Sequence, residues 1–346
     1  MATEKNIIMR QFNGTDYDTL YPKTKAEQVE GVYTQQQILS DSTKTLYGLG
    51  SNAVPDDLFR ALGAELRVTT EAGVVVTATK DDITLSATAD SSGLAVLKIP
   101  TFGTWTVRAT VNGKNLEVLL VVDTIAVFNI SLLYIPLKDA SWEFISATAE
   151  AGKAASAWSV GDKKTVKLGG VSYTAQIIGF NHDTKTAGDR AGITFQLVDC
   201  LNTKYQMNSS DTNVGGWKGS ALRARMDTFL GQLDEDLQSV IKPVNKRTFA
   251  GNSTSTIETT SDKLFLLSEF EIFGSATGSH SGEGFQYDWY KAGNTKVKKV
   301  NGSADGWWER SPFNGGSGDF CNVASNGGAA RVFASNPYGV SFGFCV

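Results

Sequence analysis

The side chains best suited to metal binding or nucleophilic catalysis are few: Cys200, Cys321, Cys345, His182 and His280. A zinc site needs three or four converging nitrogen or sulfur ligands, and these residues lack the spacing of a metal-binding motif. Cys321 and Cys345 each follow a phenylalanine in an apolar stretch, which predicts small buried residues on strands. Both histidines fall in polar, turn-forming sequence, which predicts solvated loop residues.

Other signals of catalysis are weak. Asp305 and Glu309 bracket two tryptophans, but the sequence does not show whether the two carboxylates converge. The glycine-rich stretch 315–318 is followed by neither a helix nor a lysine, which argues against phosphate binding. No nucleophile elbow or dinucleotide turn occurs. The sequence therefore predicts no enzymatic activity, no catalytic metal and no cofactor.

The tract 310–346 has an unusual composition, since it contains no Lys, Glu, Gln, Met or Trp, although the chain upstream uses all five. Every residue in it can be encoded by a codon that ends in a pyrimidine. Such a tract would arise if asparagine codons were randomised at their two adenines. A turn-rich β segment of ordinary origin explains the Gly and Asn, but not the unrelated side chains of residues 330–333 placed side by side.

The constant part of this tract resembles the variable proteins of diversity-generating retroelements. The matching motifs are WWERSP (307–312), FCNV (320–323), SNG (325–327), ASN (334–336) and GVSFGFCV (339–346). The resemblance implies a C-type-lectin-like domain that ends in a variable region, where adenine-specific copying rewrites asparagine-rich positions.

The resemblance also implies which positions vary and contact a ligand. They fall in the gaps between the motifs and are Phe313, Gly315, Gly316, Gly318, Asp319, Ala324, Gly328, Ala330, Arg331, Val332, Phe333, Pro337, Tyr338 and Ser341.

The function implied is that of a phage or prophage receptor-binding protein at the tail tip. It would be made in the host cytoplasm, carried in the virion, and bind a protein or glycan receptor on the host cell. Relatives also suggest a homo-oligomer, such as a trimer, in which several weak contacts act together.

The alternatives are a bacterial surface or secreted adhesin of the same domain type and a lectin-fold enzyme similar to formylglycine-generating enzymes. The acidic tripeptides that hold calcium in lectins of this type are missing.

A binding site that accepts many side chains needs a scaffold that does not depend on them. We expect burial from the apolar residues of the constant motifs, here called the frame: Trp307, Trp308, Phe320, Val323, Val340, Phe342 and Phe344. Variable positions on loops can then change contact chemistry with little effect on folding. Phe313, Phe333, Tyr338 and Arg331 are the candidate anchors, because aromatic and Arg side chains dominate binding energies.

The elements that position this tract form three predicted segments. Residues 1–62 are polar, with a short helix predicted over 54–62, and are expected to attach the protein to tail or baseplate proteins or to assemble it into oligomers. Residues 63–137 contain seven short alternating stretches separated by turns, which predict an Ig-like β-sandwich spacer. Residues 138–346 form the lectin-like domain.

Within 138–346 the pattern alternates between strands and helices. A Gly-Gly turn at 169–170 predicts a hairpin, and residues 191–199 predict a further strand. Ser220 can cap a helix whose apolar residues recur at helical spacing: Leu222, Met226, Phe229, Leu230 and Leu233. Residues 262–274 are interpreted as a strand. The expected fold class is mainly β, with an α+β C-terminal part.

The composition of the chain limits the classes of partner that are expected. The 346 residues carry 32 basic and 36 acidic side chains and no basic stripe, so nucleic acid is not an expected partner. No apolar run reaches the length of a membrane span and the N-terminus lacks the apolar core of a signal peptide, so no membrane insertion is expected.

Overall fold

The computed structural model describes residues 4–6, 63–251 and 254–346. The chain separates into two compact units, one ending at Ile135 and the other beginning at Pro136. Apart from the strand Glu4–Asn6, the predicted N-terminal segment 1–62, including its helix over 54–62, lies outside the described residues.

The first unit is built from the seven predicted strands, and all seven are confirmed. They are β2 (Ala64–Thr69), β3 (Val75–Lys80), β4 (Ile83–Thr88), β5 (Leu94–Ile99), β6 (Gly103–Val111), β7 (Lys114–Val122) and β8 (Val127–Ser131), with Glu4–Asn6 as β1. They form two sheets, ordered β1-β8-β2-β5 and β4-β3-β6-β7. Strands β1 and β2 run parallel to β8, and the other pairs are antiparallel.

The two sheets enclose one hydrophobic core, to which Leu66 and Leu97 contribute from one sheet and Trp105 and Leu120 from the other. Strand β6 shows why they pack this way: its odd-numbered residues from Trp105 to Val111 are buried, while the intervening ones are more exposed. This is the period of two that a half-buried strand requires. Asn112 and Gly113 both have positive φ at the β6–β7 turn, the conformation that a two-residue hairpin favours.

The second unit contains more varied elements. Its strands are β9 (Lys163–Leu168), β10 (Val171–Phe180), β11 (Ile193–Leu197), β12 (Val244–Phe249), β13 (Ile257–Asp262), β14 (Leu264–Phe265), β15 (Lys298–Val300), β16 (Ser303–Asp305), β17 (Trp307–Pro312), β18 (Asp319–Val323), β19 (Ala329–Phe333) and β20 (Gly343–Cys345). Its helices are α1 (Trp142–Glu150), α2 (Ala154–Ala157), α3 (Gly216–Gly219), α4 (Ala221–Leu230), α5 (Glu235–Val240), α6 (Glu269–Phe273) and α7 (Asp288–Lys291).

A five-stranded sheet, ordered β14-β20-β11-β10-β9, forms the centre of this unit. The predicted Gly169-Gly170 hairpin between β9 and β10 and the predicted strand β11 are confirmed. Strand β20 lies between β14 and β11 and is antiparallel to both. A separate three-stranded sheet, β17-β18-β19, together with its adjoining loops carries most of residues 313–341, the predicted variable region, here called the variable tract.

Two predictions for the second unit, one of a helix and one of a strand, have different outcomes. Helix α4 is confirmed, with the Ser220 side chain accepting a hydrogen bond from the Arg223 amide. The strand predicted over 262–274 is wrong beyond Phe265, because α6 begins at Glu269. Ser268 and Glu271 form a reciprocal capping box, and Gly274 ends the helix with a φ of 74°. These two signals outweigh the alternation of apolar and acidic residues in this segment.

The predicted fold class, mainly β with helices, is confirmed, and the helices of the described residues all lie in the second unit. In the described ranges, no helix has both the length and the apolar character needed to cross a membrane.

A chain of four buried charges links the elements of the second unit. The Arg310 guanidinium forms a bidentate ion pair with the Glu271 carboxylate. Lys246 Nζ lies 2.7 Å from Glu271 Oε1 and 2.7 Å from Asp183 Oδ1. Arg310 also donates to the carbonyls of Leu266, Arg247 and Glu283. The chain therefore connects β17, α6, β12 and the loop after β10.

The alternation of sign keeps these groups ionised. Burial disfavours the charged form of Asp183, yet the Lys246 ammonium and the neighbouring His182 hold its pKa well below its usual range. Burial likewise opposes ionisation of Glu271, but Arg310 and Lys246 lower its pKa. Each carboxylate is thus compensated, as a buried charge requires.

We expect Arg310→Ala to lower the free energy of unfolding by about 3–5 kcal/mol, because it leaves buried Glu271 without its bidentate partner. Denaturant unfolding followed by tryptophan fluorescence measures the loss. Arg247→Ala is the matched control, since that side chain is exposed on β12 and should change stability by about 0.5 kcal/mol or less. Similar losses in the two variants would contradict this role for Arg310.

Candidate binding face

The frame beneath the variable tract is fully buried, as predicted. Trp307, Trp308, Phe320, Val323, Val340, Phe342 and Phe344 each have 0% of their surface exposed. Trp308 meets Phe320 edge to face and donates its indole N–H to the Tyr205 carbonyl at 2.7 Å. Phe344 stacks on Phe195 at 5.2 Å. The aromatic residues of the frame therefore pack against each other and against the rest of the second unit.

Strand β19 presents side chains of the predicted variable positions on both of its faces. It pairs with β18 so that Arg331 lies opposite Cys321 and Phe333 opposite Asp319. Arg331 and Phe333 are exposed, Phe333 to 54%, whereas Ala330 and Val332 point to the other face and are half-buried. The burial pattern of β19 therefore shows one exposed face and one half-buried face, and neither is fully covered.

Arg331 and Phe313 form one contact surface although they lie on different elements. The Arg331 guanidinium lies 4.1 Å from the centroid of the Phe313 ring, an arrangement in which the cation is attracted to the aromatic face. Beneath the ring lies Gly278, where a Cβ would stand 3.3 Å from Phe313 and 3.2 Å from Cys321 Sγ. The absence of a side chain at Gly278 lets the ring settle close to the sheet.

The loop 313–319 is held in place by one side chain from another part of the chain. The Asn213 amide donates to the carbonyls of Phe313, Gly316 and Asp319 at 3.1, 2.7 and 3.0 Å. Its backbone N–H donates to the Ser317 carbonyl. These bonds are made to main-chain atoms, so they do not depend on which side chains the loop carries.

The loop after β19 is held in a similar way. Asp211 accepts hydrogen bonds from the amide and hydroxyl of Ser335. Tyr338 exchanges two backbone hydrogen bonds with Tyr205, and its ring packs on Trp308 at 5.4 Å. Tyr338 is therefore partly a scaffold residue as well as a candidate anchor.

Thirteen of the fourteen predicted positions are at least partly exposed. Gly315, Gly328, Arg331, Phe333 and Pro337 are exposed, while Phe313, Gly316, Gly318, Asp319, Ala324, Ala330, Val332 and Tyr338 are half-buried. These thirteen lie on β18, β19 and their adjoining loops, here called the binding face.

Ser341 does not belong to the binding face, and the prediction for it is wrong. It is 0% exposed, and its hydroxyl donates to the Leu197 carbonyl at 2.8 Å. The segment leading into β20 enters the central sheet, where neighbouring strands cover both sides. A residue there cannot reach a ligand.

Asp211 and Asn213 are the supporting residues that the sequence did not reveal. Asn213 is 0% exposed and about a hundred residues from the carbonyls it binds. The only local signal is their place in a turn-forming stretch, where Asp and Asn commonly bond to the backbone.

A buried acidic group lies behind the binding face. Glu309 is 0% exposed, and neither carboxyl oxygen finds a hydrogen-bond partner among the described residues. Burial, then the nearby carboxylates of Glu269 and Glu283, raise the pKa of Glu309 well above its usual range. Burial also raises the pKa of Glu283 to about 7. Asp305 does not share this environment, since it pairs with Lys204 at a partly exposed site.

The two histidines are less solvated than predicted. His182 stacks on Tyr287 at 3.8 Å, keeps 15% of its side chain exposed, and places Nε2 3.0 Å from the Phe285 carbonyl. His280 stacks on Phe249 at 5.5 Å. Both rings cover aromatic surface, which the polar sequence around them did not indicate.

The cysteines are free and buried, which confirms the prediction for Cys321 and Cys345. Burial raises the pKa of Cys200 to about 12, and it raises the pKa of the other two thiols well above the usual range. A thiol in such an environment is a weak nucleophile. Across residues 63–251 and 254–346, no three His, Cys, Asp or Glu side chains are grouped so that they could hold a metal ion.

Comparison with known proteins bears on the C-terminal part of the chain. Residues 191–346, which include the whole binding face, match the family model described as a domain of unknown function (DUF6273). Among solved structures, a fimbrial protein from Bacteroides ovatus ATCC 8483 is similar at 7% identity over 82% of this chain and 71% of that chain, with a TM-score of 0.23. So low a TM-score shows neither a shared fold nor a shared function. No curated protein gives a significant match.

Frame and face residues should differ in their effect on stability. We expect Trp308→Ala and Phe342→Ala each to lower the free energy of unfolding by about 3–5 kcal/mol, because they open cavities in a packed core. Arg331→Asn and Phe333→Asn should each cost about 1 kcal/mol or less, because both side chains are exposed. Denaturant unfolding measures all four, and equal losses in the two pairs would refute the separation of frame from face.

The raised pKa of Glu309 should make stability depend on pH. A carboxyl whose pKa is higher in the folded state stabilises the fold below its unfolded pKa, and this contribution is lost as pH rises. We therefore expect Glu309 to make the Tm fall as pH rises above about 4.5, and Glu309→Gln to lessen that fall because the amide stays neutral. Glu283, whose pKa is raised to about 7, should keep part of the fall in both proteins. Glu143→Gln, at an exposed position in α1, should keep the wild-type slope. An unchanged slope for Glu309→Gln would contradict the assignment.

Proposed function

We propose that this chain is a receptor-binding protein of a phage or prophage tail tip and that it attaches to the host surface through the binding face. The observation that carries the proposal is the separation within residues 307–346 between a frame of fully buried aromatics and exposed positions of unrelated chemistry. A protein whose ligand changes needs this separation, because contact residues must vary without loss of the fold.

Two further features support a face that tolerates variation. The loops 313–319 and 334–339 are fixed mainly through main-chain atoms, by Asn213 and by the backbone of Tyr205. The variable positions carry side chains as different as Gly, Asp, Arg and Phe, within a tract whose composition suits randomised asparagine codons. Both are expected of the variable protein of a diversity-generating retroelement with a C-type-lectin-like domain over 138–346.

The remaining segments have supporting roles in this proposal. Residues 63–137 act as an Ig-like spacer, since their two sheets enclose an apolar core. Residues 1–62 join the protein to the tail or baseplate, and a homotrimer multiplies weak contacts at the host surface. The protein performs no chemistry of its own.

The DNA that flanks the coding sequence gives a direct test of the diversification. We expect a near-copy of the 3′ coding end, with asparagine codons at the variable positions, beside a reverse transcriptase gene. Sequencing several isolates should show substitutions confined to those positions. Isolates that differ as often at frame codons would contradict diversification of the face.

Binding can be tested with the purified protein on a panel of bacterial strains. For a strain that the wild type binds, we expect the double change Arg331→Asn with Phe333→Asn to weaken binding roughly thirtyfold or more, because truncating an Arg or aromatic anchor costs about 2 kcal/mol or more. Phe285→Asn is the matched control, since that ring is 75% exposed on a different loop. Labelled protein counted by flow cytometry reports both. Binding that survives the double change would exclude these anchors.

A further inference from the structure

Among the described residues, one edge of β19 is not paired with another strand, and the same strand carries side chains predicted to vary. Two backbone hydrogen bonds show which residues of β19 are bonded to β18. The Ala334 amide donates to the Gly318 carbonyl, and the Ala324 amide donates to the Gly328 carbonyl. Along an antiparallel strand, successive residues direct their N–H and C=O groups alternately towards the partner strand and away from it. Residues 328, 330, 332 and 334 therefore bond towards β18, and Ala329, Arg331 and Phe333 direct their N–H and C=O groups outwards.

Most of these outward groups are unused in the described part of the chain. The Phe333 carbonyl accepts from the Asn336 amide, whereas no hydrogen bond to the main chain of Ala329 or Arg331 occurs among the described residues. Strand β19 ends the sheet order β17-β18-β19. The edge thus offers alternating donors and acceptors at the two-residue spacing of a strand.

The edge also lacks the features by which proteins usually prevent strand pairing. Such features are lysines, proline and bulges. Strand β9, an edge of the central sheet, carries lysines at 163, 164 and 167. Strand β19 reads AARVF, and its register with β18 is unbroken. Its single charge, Arg331, projects from one face of the strand, over the Phe313 ring, and so is not placed along the open edge.

We propose that the binding face recognises an extended polypeptide segment, which adds as a fourth strand to the open edge of β19. This deepens the proposed function, on which it rests, by naming a protein receptor. The main-chain bonds to Ala329, Arg331 and Phe333 supply affinity whatever side chains β19 carries, and the side chains select the partner. A variable site gains a constant source of affinity in this way.

Charge and apolar surface indicate the chemistry of that segment. Arg331 is exposed and forms no ion pair with a carboxylate of the described residues, while Phe333, two positions along on the same face, exposes 54% of its surface. Directly opposed residues of paired strands contact each other on one face. The segment therefore carries an acidic residue opposite Arg331 and an apolar residue two positions away, opposite Phe333.

A displayed library of random short linear peptides is the probe. Selection on the whole protein should return peptides with an acidic residue and an apolar residue two positions apart. N-methylation of a selected peptide on alternate residues should separate two sets: methyl groups on the amides that face β19 should abolish binding, and those on the intervening amides should leave it unchanged. Failure to select any peptide, or equal loss in both sets, overturns strand addition.

A variant of the protein tests the same bonds from the other side. Ala329→Pro removes one outward N–H at a position where an edge strand tolerates proline, and it should weaken peptide binding about three- to tenfold, the effect of one net hydrogen bond. Ala329→Ser is the matched control and should bind like the wild type. Thermal unfolding checks that both variants remain folded; if Ala329→Pro unfolds, the N-methylated peptides decide.

Other results separate this inference from the proposed function. Binding to bacterial strains that is lost with Arg331→Asn and Phe333→Asn but unaffected by Ala329→Pro overturns strand addition and leaves the receptor-binding face intact. Saturable binding to a glycan array that depends on the same two side chains would also overturn strand addition and leave the receptor-binding face intact. Failure of the wild type to bind any bacterial surface, with peptide binding retained, would count against the tail-tip function alone.

Discussion

The buried charges Arg310, Glu271, Lys246 and Asp183 are the constraint on which the second unit depends. Each ion is shielded from water, so each must be matched by its neighbour, and the pairs tie together the four elements that carry them. Arg310 lies between the frame tryptophans and the variable tract. The strand from which the binding face begins is therefore held by electrostatics as well as by packing.

This rigidity explains how the binding face can be small-residue-rich and still well defined. The frame aromatics have no exposed surface, and Asn213 positions the 313–319 loop through three carbonyls. Neither device involves a variable side chain. The fold therefore depends mainly on residues outside the binding face, and the side chains of the face are available for contacts with a ligand. Tyr338 is the exception, because its ring also covers Trp308.

Local patterns predicted much of the architecture, and long-range contacts account for most of what was missed. Alternation revealed the strands of the first unit, and the apolar frame was predicted residue by residue. Helix α6 was mistaken for a strand because its acidic and apolar residues alternate, and the capping box at Ser268 outweighs that pattern. Burial of Ser341 and Glu309 could not be foreseen, since it depends on strands distant in sequence. No local sequence pattern indicates that the Asn213 side chain binds the 313–319 loop.

The place of strand β20 gives the protein a check on its own coding sequence. This strand follows every position of the binding face in the chain, yet it lies inside the central sheet between β14 and β11. An insertion or deletion that shifted the reading frame within codons 313–338 would replace β20 by unrelated residues and leave that sheet without its inner strand. Only copies read in frame through the whole variable tract would complete the second unit. Under the proposed diversification, folding would therefore act as a proofreading step, which discards frameshifted products and retains altered side chains.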